Sequence, residues 1–313
     1  MKWLVTGSSG YIGQHVVLSM LEQGLNLIGV DSVEQDKDSP LSNKFKQFHF
    51  NILETSAVIE IMESEKCEGI INLAALKSVE DSIKNPTEYF RVNYQAPLDL
   101  LKESSKLGLQ CFIQSSTAAV YGNLENGIAF EHSPTSPVTP YGTSKLNFEN
   151  ELRKHSQEYG IKATSLRFFN VLGARNANLR DKARSNILPK IMDALSRNEK
   201  PKIFGTDYPT PDGTCIRDYV HVEDIAYAHT LAASKIFGEK LPPVINLGTG
   251  KGHSVLEVMG KVQDVLGKKI EIELADRRQG DVASLVASVE LAKEFLNFKS
   301  QKTFDEMIES SLR

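Results

Sequence analysis

The run Gly7-Ser8-Ser9-Gly10-Tyr11-Ile12-Gly13 constrains this chain most, because it stands between an apolar strand-like segment, Lys2-Trp3-Leu4-Val5-Thr6, and an amphipathic helical pattern. Gly7 permits a tight turn, Gly10 lets the backbone approach a pyrophosphate, and Gly13 lets the helix pack closely on a sheet. The N–H groups at the helix N-terminus favour an anion. A second apolar run, Leu25-Asn26-Leu27-Ile28-Gly29-Val30, ends at Asp31. A carboxylate there accepts both ribose hydroxyls and repels a 2′-phosphate, so the expected cofactor is NAD and not NADP.

Further strand-like runs, Gly69-Ile70-Ile71-Asn72-Leu73, Cys111-Phe112-Ile113-Gln114 and Ala163-Thr164-Ser165-Leu166-Arg167-Phe168, alternate with segments of helical period. That alternation predicts an α/β fold with a doubly wound parallel sheet, Rossmann-like, over residues 1–170. After about Phe169 the pattern loosens into Pro- and Gly-rich stretches such as 205–213. We place a smaller C-terminal α/β substrate domain at 171–313, with some segments returning to the first domain. The stretches 87–106 and 144–159 read as long helices whose apolar positions exceed one stripe. A spare apolar face suggests a partner. No repeat of twenty to fifty residues recurs.

The 313 residues carry a formal charge of −4 with dispersed basic residues, which argues against nucleic acid as a partner. No apolar run approaches the roughly 20 residues of a membrane span, and the N-terminal one is too short for a signal peptide. The expectation is a cytoplasmic protein with no membrane partner. Cys67, Cys111 and Cys215 lack the spacings of disulfides or zinc sites, so no metal is expected. His221, in an alternating run, reads as a structural imidazole.

The chemistry is concentrated in Tyr141-Gly142-Thr143-Ser144-Lys145 and the preceding Ser115-Ser116-Thr117. A Tyr and a Lys four residues apart share one helix face. A phenol titrates near a pKa of about 10, and a neighbouring ammonium is expected to lower it towards the range of a general base. The Thr117 hydroxyl is a further hydrogen-bonding group for an alcohol or a carbonyl.

Taken together, these residues resemble an extended short-chain dehydrogenase/reductase, and more closely the UDP-glucose 4-epimerase family. The resemblance runs through Thr6–Gly13, Ala74-Ala75-Leu76-Lys77, Ser115–Gly122, Pro140–Lys145, Arg167-Phe168-Phe169-Asn170, Asp207–Thr214, Arg217–Val222 and Arg277-Arg278-Gln279-Gly280-Asp281. It implies that Tyr141 takes the proton of the sugar 4-hydroxyl while the C4 hydride passes to NAD, and that the 4-keto sugar turns over and receives the hydride on its other face. Lys145 would stabilise the phenolate, and Thr117 would bond the migrating oxygen. For the cofactor, it implies contacts from Gly7, Gly10, Tyr11, Ile12, Gly13, Asp31, Asn51, Ile52, Ala74, Ala75, Lys77, Asn93, Ser115, Tyr141, Lys145 and Phe168. For a UDP-hexose, it implies Arg217 and Arg278 on the diphosphate, where guanidinium groups bind oxyanions bidentately. Asn170 and Asn186 would bond the substrate, Phe204 the uracil and Asp281 a ribose hydroxyl; Lys77, Thr117, Tyr141 and Leu285 would face the sugar. The resemblance also implies that the partner of the spare apolar face is a second copy, a homodimer.

Three positions depart from the family pattern. Ser8 replaces a frequent Gly, and Asn51-Ile52 replaces an Asp-Ile pair at the adenine. Leu285 stands where epimerases restricted to unacetylated sugars carry Tyr, so either it opens room for UDP-GlcNAc and UDP-GalNAc or it fills the core. Related activities fit less well. A 4,6-dehydratase needs an acid and a base beside Thr117, and Ala118 and Ala119 supply neither. A decarboxylase carries a Glu in that stretch, and a reductase more often uses NADP, which Asp31 opposes. A catalytically silent NAD-binding regulator would have no need of Thr117, Tyr141 and Lys145 together.

Overall fold

Residues 1–34, 39–183 and 186–313 are described by a computed structural model of the chain. Short runs of buried aliphatic residues form the strands β1 (Lys2–Thr6), β2 (Asn26–Asp31), β3 (Lys46–His49), β4 (Gly69–Asn72), β5 (Cys111–Thr117), β6 (Lys162–Phe168) and β7 (Val244–Leu247). They pair in parallel in the order β7-β6-β5-β4-β1-β2-β3. The expected doubly wound sheet is present.

Alternate side chains of each strand feed two cores, the pattern of a parallel sheet covered on both faces. Leu4, Ile70 and Phe112 pack with Phe148 and Leu152 of α2 (Pro140–Tyr159; α1 is Tyr11–Glu22 and α3 is Val222–Lys235). Trp3, Val5, Ile71 and Ile113 pack on the other face with Val16, Val17 and Met20 of α1 and with Ile225 and Ala232 of α3. Strand order reverses between β1 and β4, so their carboxyl ends open a crevice where a ligand can lie.

A second sheet is built around Ile216–His221, which pairs with Gly252–Ser254, Ser284–Ala287 and Asn170–Leu172; Ser284–Ala287 also takes Ile128–Ala129 as a neighbour. A strand from the first half thus joins the smaller sheet, while β7 from the second half closes the larger one. His221 ends its strand with the ring buried, Nδ1 accepting the Glu223 N–H and Nε2 bonded to Ser310.

The stretch read as one helix from 87 to 106 is divided. An α-helical turn at Pro86–Phe90 passes into a π-helical turn at Arg91–Gln95 before Ala96–Lys106 resumes α geometry. The wider turn carries Asn93, which lies buried with both ends of its amide engaged: Oδ1 accepts the Leu76 N–H at 2.8 Å and Nδ2 donates to the Leu76 carbonyl at 2.9 Å. Such single-turn insertions occur frequently at functional sites. Here it ties the loop after β4 to the helical layer.

Candidate active site

The glycine turn has the tight geometry that its sequence implies. Gly7 sits at φ +71°, and a Cβ on it would lie 2.6 Å from the Ala74 amide nitrogen. At Gly13 a Cβ would come within 1.9 Å of the Gly7 carbonyl oxygen. Gly10 is the N-cap of α1, and no side chain caps that terminus. The anion seat is therefore left to a ligand. At the end of β2, Asp31 accepts the Ser9 N–H at 2.8 Å and the Val33 N–H at 2.9 Å, one on each carboxylate oxygen. Lone pairs remain for a ribose diol. This cradle fits a dinucleotide.

Ser8 is accommodated by an unforeseen complement. Its side chain is buried with an unpartnered Oγ, and it packs over Gly29, where a Cβ would stand 2.5 Å from that oxygen. Around the crevice, Ile12 packs against the α1 core and Ala74 donates its N–H to Thr6 Oγ1 at 3.3 Å, with Ala75 in the same loop. Lys77 Nζ lies 3.2 Å from Asp181 Oδ1 and 5.5 Å from the centre of the Tyr11 ring. The Tyr11 hydroxyl donates to the Gly173 carbonyl, and burial beside Asp181 holds that phenol well above its usual pKa. Asn51 is exposed, with Oδ1 accepting the Leu53 N–H at 3.0 Å, whereas the Ile52 side chain turns into the core with Val30 and Val58. A contact from Ile52 at the crevice would have to come from its backbone.

Sequence places the reacting groups on two elements. Thr139 caps α2 by accepting the Gly142 N–H at 3.2 Å, and Pro140 at the first helical position sets the entry, so Tyr141 and Lys145 occupy the first two turns. Thr117 ends β5, opposite Phe168 of β6 in register. Thr117, Tyr141 and Lys145 are all buried, and Thr117 is hydrogen-bonded to the phenol. Lys145 donates from Nζ to the Ser115 carbonyl at 3.0 Å, and the Ser115 hydroxyl meets His229 Nε2 at 2.9 Å. His229 Nδ1 lies 2.8 Å from the Ile225 carbonyl; burial lowers this imidazole to about 4, which makes it neutral.

One expectation is overturned. The Tyr141 phenol is not drawn down by Lys145; burial raises its pKa, and only the Thr117 hydrogen bond pulls the other way. Desolvation of a phenolate outweighs a cation whose ammonium points to a backbone carbonyl. Burial also lowers Lys145, to about 8, against the opposing pull of Glu149. Glu149 itself forms a buried pair with Arg167 at 2.6 Å and accepts the Ser116 hydroxyl. Sequence reasoning passed over Glu149 and His229, and it gave Arg167 no role beyond its place in the Arg167-Phe168-Phe169-Asn170 motif. Glu149 left one signal, its place one turn beyond Lys145.

Across the crevice the second unit gathers the remaining residues. Arg278 stacks 4.8 Å above the Phe204 ring and donates from Nε to Asp281 at 3.0 Å, and Arg217 Nη2 reaches the same carboxylate at 3.5 Å. Asn170 opens its strand opposite Tyr219, and Asn186 precedes the helix Ile187–Ser196 with its amide donating to Asp181. Asp181 and Asn186, with Tyr11, Met192 and Leu312, border a cavity of about 320 Å³. Leu285 pairs in register with Arg217 and packs with Ala118, Val120 and Phe169, between the turn after Thr117 and the arginine. The described residues contain no metal-binding cluster of His, Cys, Asp or Glu.

Fold and site define a class: a Rossmann-type, NAD-dependent enzyme with the Tyr/Lys pair of the short-chain dehydrogenases. Comparison with known proteins carries the assignment further. The model of the NAD dependent epimerase/dehydratase family matches residues 3–248. A UDP-glucose 4-epimerase of Halalkalibacterium halodurans is 38% identical over 303 residues, covering 96% of this chain and 90% of that protein. Among solved structures, the UDP-glucose-4-epimerase of Stenotrophomonas maltophila with bound NAD and formylated UDP-arabinopyranose superposes with a TM-score of 0.93 at 32% identity, over 99% of this chain and 96% of the other. The UDP-Glc/GlcNAc 4-epimerase of Campylobacter jejuni does so with a TM-score of 0.85 at 33% identity, over 99% and 97%. The chain belongs to the NAD dependent epimerase/dehydratase family and, within it, to the UDP-glucose 4-epimerases.

Proposed function

We infer that this protein is an isomerase that interconverts UDP-hexoses at C4 with NAD as its cofactor. Bound NAD would supply hydride exchange at C4, with return to the opposite face of the sugar. Tyr141 Oη takes the 4-hydroxyl proton as the hydride leaves and gives it back as the hydride returns. The Thr117 hydroxyl bonds the same oxygen, and the Lys145 charge favours the phenolate. The observation that carries this reading is the burial of Thr117, at the end of β5, together with Tyr141 and Lys145 in the first two turns of α2, with Ala118 and Ala119 leaving no group to eliminate water. Gly7, Gly10, Gly13 and Asp31 hold the dinucleotide, and Arg217, Arg278, Phe204 and Asp281 hold the UDP.

We extend the reading to UDP-GlcNAc and UDP-GalNAc on the size of the Leu285 side chain alone, which in the structure is buried against Ala118, Val120 and Phe169. The helix Ala96–Lys106 lies beside α2, and this pair is the surface we assign to a homodimer. A monomeric mass in light scattering would remove that assignment. Three buried, free cysteines fit a cytoplasmic setting, and among the described residues no helix is long and apolar enough to cross a membrane. The deciding experiment is turnover of UDP-galactose and of UDP-GalNAc by purified protein with no NAD added. Conversion of both supports a resident cofactor and an enlarged pocket; UDP-galactose alone retains the epimerase and discards the pocket. Failure with both, even with NAD supplied, overturns the reading.

A further inference from the structure

The arginine that receives the substrate's diphosphate in this reading is also held by a carboxylate from the opposite wall of the crevice. Glu80, on the short helix Val79–Lys84 of the NAD-binding unit, lies 3.3 Å from Arg278 Nη1 and 2.7 Å from Lys190 Nζ, and both cations belong to the second unit. Asp281 takes the other edge of Arg278 and the end of Arg217. Three cations thus face two carboxylates, which leaves a single positive charge for a ligand that brings about two negative ones. Asp281 has a use for its carboxylate in the substrate's ribose, but Glu80 has none. It is exposed, its partners draw its carboxyl below the usual range, and it remains ionised at neutral pH.

We propose that Glu80 is an affinity-setting residue: its carboxylate competes with the substrate diphosphate for Arg278, so UDP-sugar binds only as that contact is given up. The proposal rests on the assignment of Arg278 to the diphosphate. Glu80 is on the rim, where an ion pair is weak and screened by salt, so the effect is modest. Glu80→Gln keeps the shape of the side chain and removes the charge, and exposure makes a folding failure remote.

The test is titration calorimetry of UDP into the NAD-loaded protein, alongside steady-state epimerisation, for the parent, Glu80→Gln and Arg278→Met. Glu80→Gln is expected to tighten UDP binding about three- to five-fold at low salt, with KM falling in step and kcat unchanged. The gain should shrink as salt is raised. Arg278→Met is expected to weaken UDP by about ten-fold or more. Unchanged or weaker UDP binding by Glu80→Gln, with Arg278→Met weakened as expected, overturns the role of Glu80 and leaves the diphosphate assignment standing. Undiminished binding by Arg278→Met overturns the assignment itself.

Discussion

At the scale of single residues, the reacting groups are pulled in opposite directions by burial. The Tyr141 phenol is pushed up and the Lys145 ammonium is pushed down to about 8, so each resists the charge that catalysis asks of it. Tyr141→Phe removes the proton carrier and little else, and it should retain NAD while losing about 10²- to 10⁴-fold in turnover. Cofactor content read by absorbance beside the epimerisation rate checks this, and undiminished turnover would sink the role. Lys145 carries a second expectation. With a folded pKa of about 8 against 10.5 for the free group, the unfolded chain binds more protons between those values, so the group adds stability as pH rises through that window. In urea titrations of NAD-free protein, the parent should gain stability relative to Lys145→Met between pH 8 and 10.5 and show a constant difference below it. A difference that stays flat across the window would contradict the buried-ammonium account.

At the scale of elements, the glycine turn shows how a local motif and a distant strand are fitted together. The strand, three glycines, helix and Asp31 were legible because each duty is local: turn, approach, packing, cap. Ser8 was legible only as a departure, because the space that admits it comes from Gly29 on the neighbouring strand. Gly29→Ala should therefore cost about 1–3 kcal/mol through overpacking, and Ser8→Gly should restore part of the loss. Urea midpoints of both single variants and the double variant test it; strictly additive losses would refute the coupling. The π-helical turn at Arg91–Gln95 was not legible at all. Its residues suit an α-helix, and what pays for the wider turn is Asn93 pinning the loop that carries Lys77.

At the scale of the whole molecule, the two units exchange strands: Ile128–Ala129 lies in the smaller sheet and β7 in the larger. Neither sheet is complete without chain from the other half. Calorimetry should accordingly show one cooperative unfolding transition, and two resolved transitions would show the units to be independent. The sequence by itself determined the dinucleotide cradle, the parallel sheet, the Tyr/Lys/Thr constellation and the family, because these are written in short runs whose spacing is set by turn and helix geometry. Tertiary structure alone decided the direction of the Tyr141 pKa, the buried Glu149–Arg167 pair under the site, the matching of Ser8 to Gly29 and the reach of Glu80 across the crevice. Each of these depends on burial or on contact between residues far apart in sequence, and local spacing carries no record of either.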